Sequence, residues 1–447
     1  MPTEFVTADR TGSGPQVTLS TFDADVIIAQ GVLVATSSFD AAVLGSSSYH
    51  DVVVYGGVAS EEYGIALGVL GESTDNFAFI APGASVYGEN GGVVAYSADS
   101  RITNDGSIYA GITAAGVTLG GIGEGRSHLV NRGVISGDYG VQVNLPTEEQ
   151  SLVTTETVVV TNYGNIVGTF AGYAGGANVD QFINRGTVKG NIGLQGGDDV
   201  YDGRQGSVDG AVYGYLGNDT FLAGGEADTF YGEEGFDTLD FRGSTGLRVS
   251  MADGSGTEAA SGDRYFGIER VLGSASGADQ LIGNAAANVL QGLGGKDVLV
   301  GNGGADVLRG DAGTDSLRGG TGGDTLAGGA GRDDVRGGLG NDTFQYGSRA
   351  AGGDVIADFH NAAGDNDRFR IDASVFGGGL VAGGLLPASQ FRMRADNLAQ
   401  DADDRFVFRT TDATLWFDSN GSAAGGLTLV ADLQAGATVT SADILLY

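Results

Sequence analysis

From residue 279 to residue 344 a single apolar side chain returns every nine residues: Leu281, Leu290, Leu299, Leu308, Leu317, Leu326, Val335 and Phe344. Each follows, two positions on, a carboxylate or amide: Asp279, Asn288, Asp297, Asp306, Asp315, Asp324, Asp333 and Asp342. The intervening stretches are rich in glycine, as in GLGGKD, GNGGAD, GDAGTD, GGTGGD, GGAGRD and GGLGND. Nine residues are too few for a helical hairpin. A Gly-rich turn of six leading into a strand of three fits, with the apolar side chain inward and glycine supplying left-handed backbone angles. Two units then close one coil of eighteen residues. Stacked coils place Asp279, Asp297, Asp315 and Asp333 in one column and Asp306, Asp324 and Asp342 in another, about 4.8 Å apart along the stack. A more worn block carries Asp219, Asp228 and Asp237 at the same step, with Asp199 in a GGDD segment opening it.

Residues 1–190 follow a related rule with a longer period. The pattern apolar-x-Asn-x-Gly-x-Ile/Val recurs around Asn104, Asn131, Asn162 and Asn184, at spacings of 27, 31 and 22, after weaker Gly-punctuated strands between Val26 and Tyr96. Alternating apolar residues at this spacing predict coils of a parallel β-helix with loops of variable length, the Asn side chains stacking at a turn. A β-sandwich is the alternative for this region. The whole chain is expected to be all-β: a parallel β-helix or solenoid continuing into a parallel β-roll with a C-terminal β cap.

Composition narrows the chemistry. Glycine supplies 82 of 447 residues and proline 5, without the three-residue period of collagen. Asp and Glu outnumber Lys and Arg 56 to 23, for a net charge of −33, and hydrophobic residues still make up 41%. Such a chain has enough apolar material to fold, and it would be repelled by nucleic acid and by anionic lipid. Cysteine is absent, so neither disulfides nor thiolate metal sites are available. No apolar run is long enough to span a bilayer, and MPTEFVTADRTGSG lacks a basic segment followed by an apolar one, so no Sec-type leader is expected.

A column of like charges at coil spacing is unstable alone. A divalent cation between stacked turns removes the repulsion by taking carboxylate oxygens from two coils and carbonyls from the turns. Calcium suits this flexible, oxygen-only setting better than magnesium, which demands stricter geometry and keeps its water. Several Ca²⁺ ions are therefore expected at Asp297, Asp306, Asp315, Asp324, Asp333 and Asp342, and also at Asp199, Asp219, Asp228, Asp237 and Asp279. Asn288 lacks both the charge and the inner glycines, which makes its turn a metal-free candidate. Residues 191–240 hold eleven acids against Arg204 alone, so the first block needs cation more acutely.

The GGxGxD units resemble those of the RTX, or hemolysin-type calcium-binding, family over residues 191–447. Residues 237–292 look like the connector leading into such a β-roll, and GGDVIADFHNAAGDNDRFRIDAS (352–374) resembles the segment after the last repeat. DRFVFRTTDATLWFDSNGSAAGG (404–426) resembles the common C-terminal strand pair. The resemblance implies a last calcium at Asp354 and Asp358, and export by a type I secretion apparatus through an uncleaved C-terminal signal, for which the ending SADILLY is compatible. The implied domains are 1–190 (β-helix), 191–346 (calcium-binding β-roll, with blocks 191–243 and 277–346 around a connector 244–276) and 347–447 (cap and secretion signal).

An enzyme is the competing class, since β-helices also serve as platforms for polysaccharide lyases and epimerases. Three His residues, none four apart, exclude HExxH, and GxSxG is absent. Glu61 and Glu62 are adjacent on a strand and point to opposite faces. Arg132 and Arg185 occupy equivalent repeat positions and could make a basic row for an acidic glycan; ordinary exposed turn residues are the plainer reading. The expected protein is non-enzymatic and extracellular, either released or bound to the cell surface. Its partners would be calcium, the secretion apparatus, and surface polysaccharide or further copies of itself. Its expected role is structural or adhesive.

Overall fold

Strands here alternate buried and outward side chains, as in Asp25–Ile28 and Gly57–Ser60. The computed structural model describes residues 3–19, 24–37, 40–46, 48–68, 75–120, 125–143, 157–258, 260, 262–362 and 364–447. It contains two compact units, one of residues 1–238 with 264–268 and one of residues 239–263 with 269–447.

In the first unit three short strands make a coil, for example Phe77–Ile80, Ser85–Gly88 and Gly91–Ala95. Each strand lies parallel to its equivalent one coil on. Val52 faces Ala78, followed by Ile102, Leu129, Val160, Phe182 and Tyr201, all buried. This is a parallel β-helix, and the parallel pairing removes the β-sandwich alternative. Burying each large apolar side chain of such a column contributes about 1.5–3 kcal/mol, which adds to the backbone pairing between successive coils.

Two positions along the same strands a second inward column changes chemistry. It runs Ile28, Val54, Ile80, then Asn104, Asn131, Asn162 and Asn184. Each buried amide donates to the next, at 2.8, 2.8 and 2.9 Å, and donates again to a backbone carbonyl of Val134, Asn165, Thr187 or Ser207. The glycine two positions later is required by close approach. A methyl group on Gly106 would meet the carbonyls of Ala84 and Ala81 at 2.5 and 2.6 Å.

The second unit winds with the eighteen-residue coil. Leu281, Leu299, Leu317 and Val335 stack on one sheet and Leu290, Leu308, Leu326 and Phe344 on the other, all at most 3% exposed. The three-residue strand is an underestimate. Parallel pairing runs on into the turn, with Asn302 opposite Gly320 and Asp311 opposite Gly329. These four residues share a positive φ, so successive turns superpose and keep their ladder.

Asp354–Ile356 and Arg368–Ile371 extend the two sheets beyond the last repeat. Phe406–Arg409, Thr414–Asp418 and Leu427–Leu433 form an antiparallel meander against them, and Ile444–Leu446 pairs with Arg368–Ile371. No helix among the described residues is long and apolar enough to cross a membrane.

Replacing Asn131 by Ala strands a buried donor of Asn104 and a buried acceptor of Asn162. Urea denaturation in saturating calcium should show a loss of about 2–4 kcal/mol; an unchanged midpoint would mean that the amide column carries no stability.

Candidate metal centre

The aspartates of the repeats form the columns expected of an eighteen-residue winding, and each carboxylate divides its two oxygens. In one column Oδ1 of Asp297 accepts the backbone N–H of Asp279 at 2.9 Å, Asp315 accepts from Asp297 at 2.8 Å, and Asp333 accepts from Asp315 at 2.8 Å. In the other, Asp306 accepts from Asn288, Asp324 from Asp306 and Asp342 from Asp324, at 2.7, 2.8 and 2.8 Å. The first unit repeats the pattern: Asp199 accepts from Asp180, Asp219 from Asp199 and Asp237 from Asp219.

The other oxygen is left bare. Oδ2 of Asp199, Asp219, Asp297, Asp306, Asp315, Asp324, Asp333 and Asp342 is buried, with no hydrogen-bond partner among the described residues. It lies over the glycine five positions earlier in seven of the eight, from Gly214 for Asp219 to Gly337 for Asp342. A methyl group on Gly301 would collide with Asp306 Oδ2 and stand 2.6 Å from the carbonyl oxygen of Gly319 in the next coil; Gly310 repeats this with Asp315 and Gly328 at 2.5 Å. Bare carboxylate oxygens and turn carbonyls of adjoining coils thus face the same small spaces. An unpaired buried carboxylate oxygen is costly, and a hard divalent cation with oxygen-only ligands is what this donor set fits.

Electrostatics give the same reading. Burial, reinforced by neighbouring acids, pushes Asp297 and Asp342 up to about 7 and Asp199 to about 9. Burial also raises Asp219, Asp306 and Asp315 to about 6, and raises Asp324 and Asp333. In every case the backbone N–H on Oδ1 offsets only part of the desolvation.

The remaining candidates sit differently. Asp228 and Asp237 are buried in the worn block. Asp279 takes the N–H and hydroxyl of Ser274 at 2.7 and 3.0 Å and the N–H of Leu247 at 3.0 Å. Asn288 Oδ1 accepts from Asn284, closing its turn without a charge. Asp358 uses both oxygens on the N–H groups of Gly337 and Gly338, each at 3.1 Å. Three members of the columns escape a nine-residue search: Asp354 and Asp367, which accept from Asp333 and Asp342, and Asp180, which donates its N–H to Asp199. All three keep the local signature of an acid two residues before a buried apolar side chain: Ile356, Phe369 and Phe182. His360, Asp365 and Asp367 also bring three ligand atoms within 4.8 Å of one another.

The arginine row does not stand free. Arg132 pairs with Asp105 at 3.2 Å and Arg185 with Asp202 at 2.5 Å. Despite desolvation, hydrogen bonds from Arg204 and Arg185 hold Asp202 below the ordinary carboxylate range.

Against known families, residues 211–240, 274–308 and 309–344 match the RTX calcium-binding nonapeptide repeat, in four copies. These segments are RTX repeats, a class that binds calcium. No curated protein matches the chain.

Carboxyls with a folded-state pKa above the unfolded value of about 3.9 stabilise the metal-free fold when protonated. That contribution is complete below the unfolded value and vanishes as pH rises through 6 to 9. In chelator, the β-signal of the repeats should therefore fall between pH 5 and pH 8. In millimolar calcium it should hold over the same range, because the ion competes with protons. Circular dichroism rising with pH in chelator would contradict the assignment.

Proposed function

We propose that this chain is a secreted calcium-binding RTX repeat protein whose β-roll folds on Ca²⁺ outside the cell, where it serves a structural or adhesive role at the surface or in matrix. The observation that carries this reading is the row of buried, bare Asp Oδ2 atoms at coil spacing. Asp297, Asp306, Asp315, Asp324, Asp333 and Asp342 would hold the ions of the regular block, and Asp199, Asp219, Asp228 and Asp237 those of the worn one. Bound calcium supplies positive charge between carboxylates that otherwise repel. The chain's own part is to fix one oxygen of each carboxylate on a backbone N–H and to aim the other at the next turn's carbonyls.

Linkage makes folding a response to compartment. An ion that binds only the wound form adds stability by mass action, and extracellular modules bind calcium at about 10⁻⁴–10⁻³ M, far above cytosolic levels. The repeats would stay unwound during passage through a type I channel and wind outside, where the column charge is neutralised. The C-terminal segment, by its resemblance to exported relatives of the repeat, would carry the export signal.

Transfer from millimolar calcium to chelator at pH 7.5 should remove the part of the β-signal that belongs to the repeats and restore it on re-addition, while magnesium should not substitute. Circular dichroism indifferent to calcium would refute the reading. Asp315→Asn with Asp324→Asn keeps both Oδ1 acceptors and discards two charges. This variant should bind fewer ions by calorimetry and raise the calcium midpoint severalfold, without weakening the metal-free form.

A further inference from the structure

On one outward column of the first unit, successive coils set Gln142, Ala174, Gly193, Tyr213, Tyr231 and Phe266 opposite one another. The last three stack face to face, with centroids 4.7 Å apart and planes within 6° and 13° of parallel. The two rungs before them carry almost no side chain, so the column drops into a notch. Tyr215 leans across it, since a methyl on Gly193 would stand 3.1 Å from its ring and 3.2 Å from the amide of Gln195. At the flank, where the strand register shifts, Phe170 packs on Tyr139 with centroids 5.3 Å apart. Phe170 stays 67% and Tyr215 39% exposed. The notch has a volume of about 360 Å³, and the described residues lining it include the rings of Tyr139, Phe170, Tyr213 and Tyr215 and the amides of Gln142, Asn191 and Gln195 but no carboxylate, lysine or arginine.

We propose that this notch binds a sugar ring of a neutral glycan, a site that goes beyond calcium-dependent folding. A pyranose offers an apolar C–H face to an aromatic ring and hydroxyls to side-chain amides, and the volume is that of a small-ligand site. A purely apolar ligand would strip water from the lining amides without replacing its hydrogen bonds. An added peptide strand finds no edge, because the floor strands Asn165–Ala174 and Thr187–Gly196 are paired on both sides. Charge selects among glycans: with no cation among the described lining residues and a net charge of −33 on the chain, a polyuronate is repelled and a neutral chain is not.

The test is calorimetric titration of the full chain in calcium with chitohexaose, cellohexaose, maltohexaose and, as the anionic comparator, hexagalacturonate. At least one neutral oligosaccharide should bind. Tyr215→Ala and Phe170→Ala should each weaken it about tenfold, whereas Phe5→Ala, which removes an exposed ring elsewhere, should not. Calcium-dependent circular dichroism of each variant must match the parent, which separates a failed glycan site from failed calcium folding. The proposal is overturned if no neutral oligosaccharide binds, if hexagalacturonate alone binds, or if both substitutions at the notch leave affinity unchanged.

Discussion

Half of each repeat carboxylate belongs to the backbone. In Asp199, Asp219, Asp297, Asp306, Asp315, Asp324, Asp333 and Asp342 one oxygen takes the N–H of the equivalent residue a coil earlier, which fixes the side chain inward and stacks the acids; the other is thereby buried with no hydrogen bond among the described residues. The geometry that makes the coils regular also makes them costly without a cation. Glycine enters for the same reason: in seven of these eight turns the glycine five residues before the acid leaves room for that second oxygen, with which a methyl group there would collide.

The first unit faces the same stacking problem and meets it with Asn. An amide both donates and accepts, so Asn104, Asn131, Asn162 and Asn184 close a chain of bonds among themselves and with the backbone, leaving no charge to neutralise. A carboxylate only accepts. An Asn column is complete as it stands, and an Asp column lacks a positive partner. The difference of one atom type between the two ladders separates a column that satisfies its own hydrogen bonds from one that leaves carboxylate oxygens for a cation.

Much of this was legible in the chain because stacking imposes strict periods. The nine-residue step located both sheets of the repeats and the two Asp columns, and N-x-G located the amide ladder. Where the period breaks, spacing no longer finds the columns: Asp354, reached only through the family resemblance, lies 21 residues after Asp333, and Asp367 lies 25 after Asp342, although both continue the columns. Insertions lengthen a coil without altering the strand it feeds, so the local signature of an acid two before an apolar residue survives while the spacing does not. The division of labour between the two carboxylate oxygens was not legible, since it depends on which oxygen the next coil's N–H reaches. Nor was the engagement of Asp279 by Ser274, a contact that the segment SASGAD permits but does not announce. The Tyr215 notch was missed because Ala174 and Gly193 become neighbours only through register.

The two ladders meet within one coil of the first unit. Strand Asp180–Asn184 carries the last amide of one ladder and the first N–H of the other, with Asp180 accepting the hydroxyl of Tyr173 at 2.7 Å and donating its N–H to Asp199. Beyond it the amide column has no successor, because Gly203 stands where the next Asn would be and the ring of Tyr201 fills the space. Arg185 and Arg204 instead close around Asp202, a buried acid satisfied by side chains. Asp199, three residues earlier in the same coil, has no such cation among the described residues, and burial raises its pKa to about 9. The coil that closes the self-sufficient ladder is therefore bonded directly to an acid with a bare, buried oxygen. The fold passes there from a ladder that supplies its own hydrogen bonds to one that leaves a carboxylate oxygen of each of its bare acids for a cation.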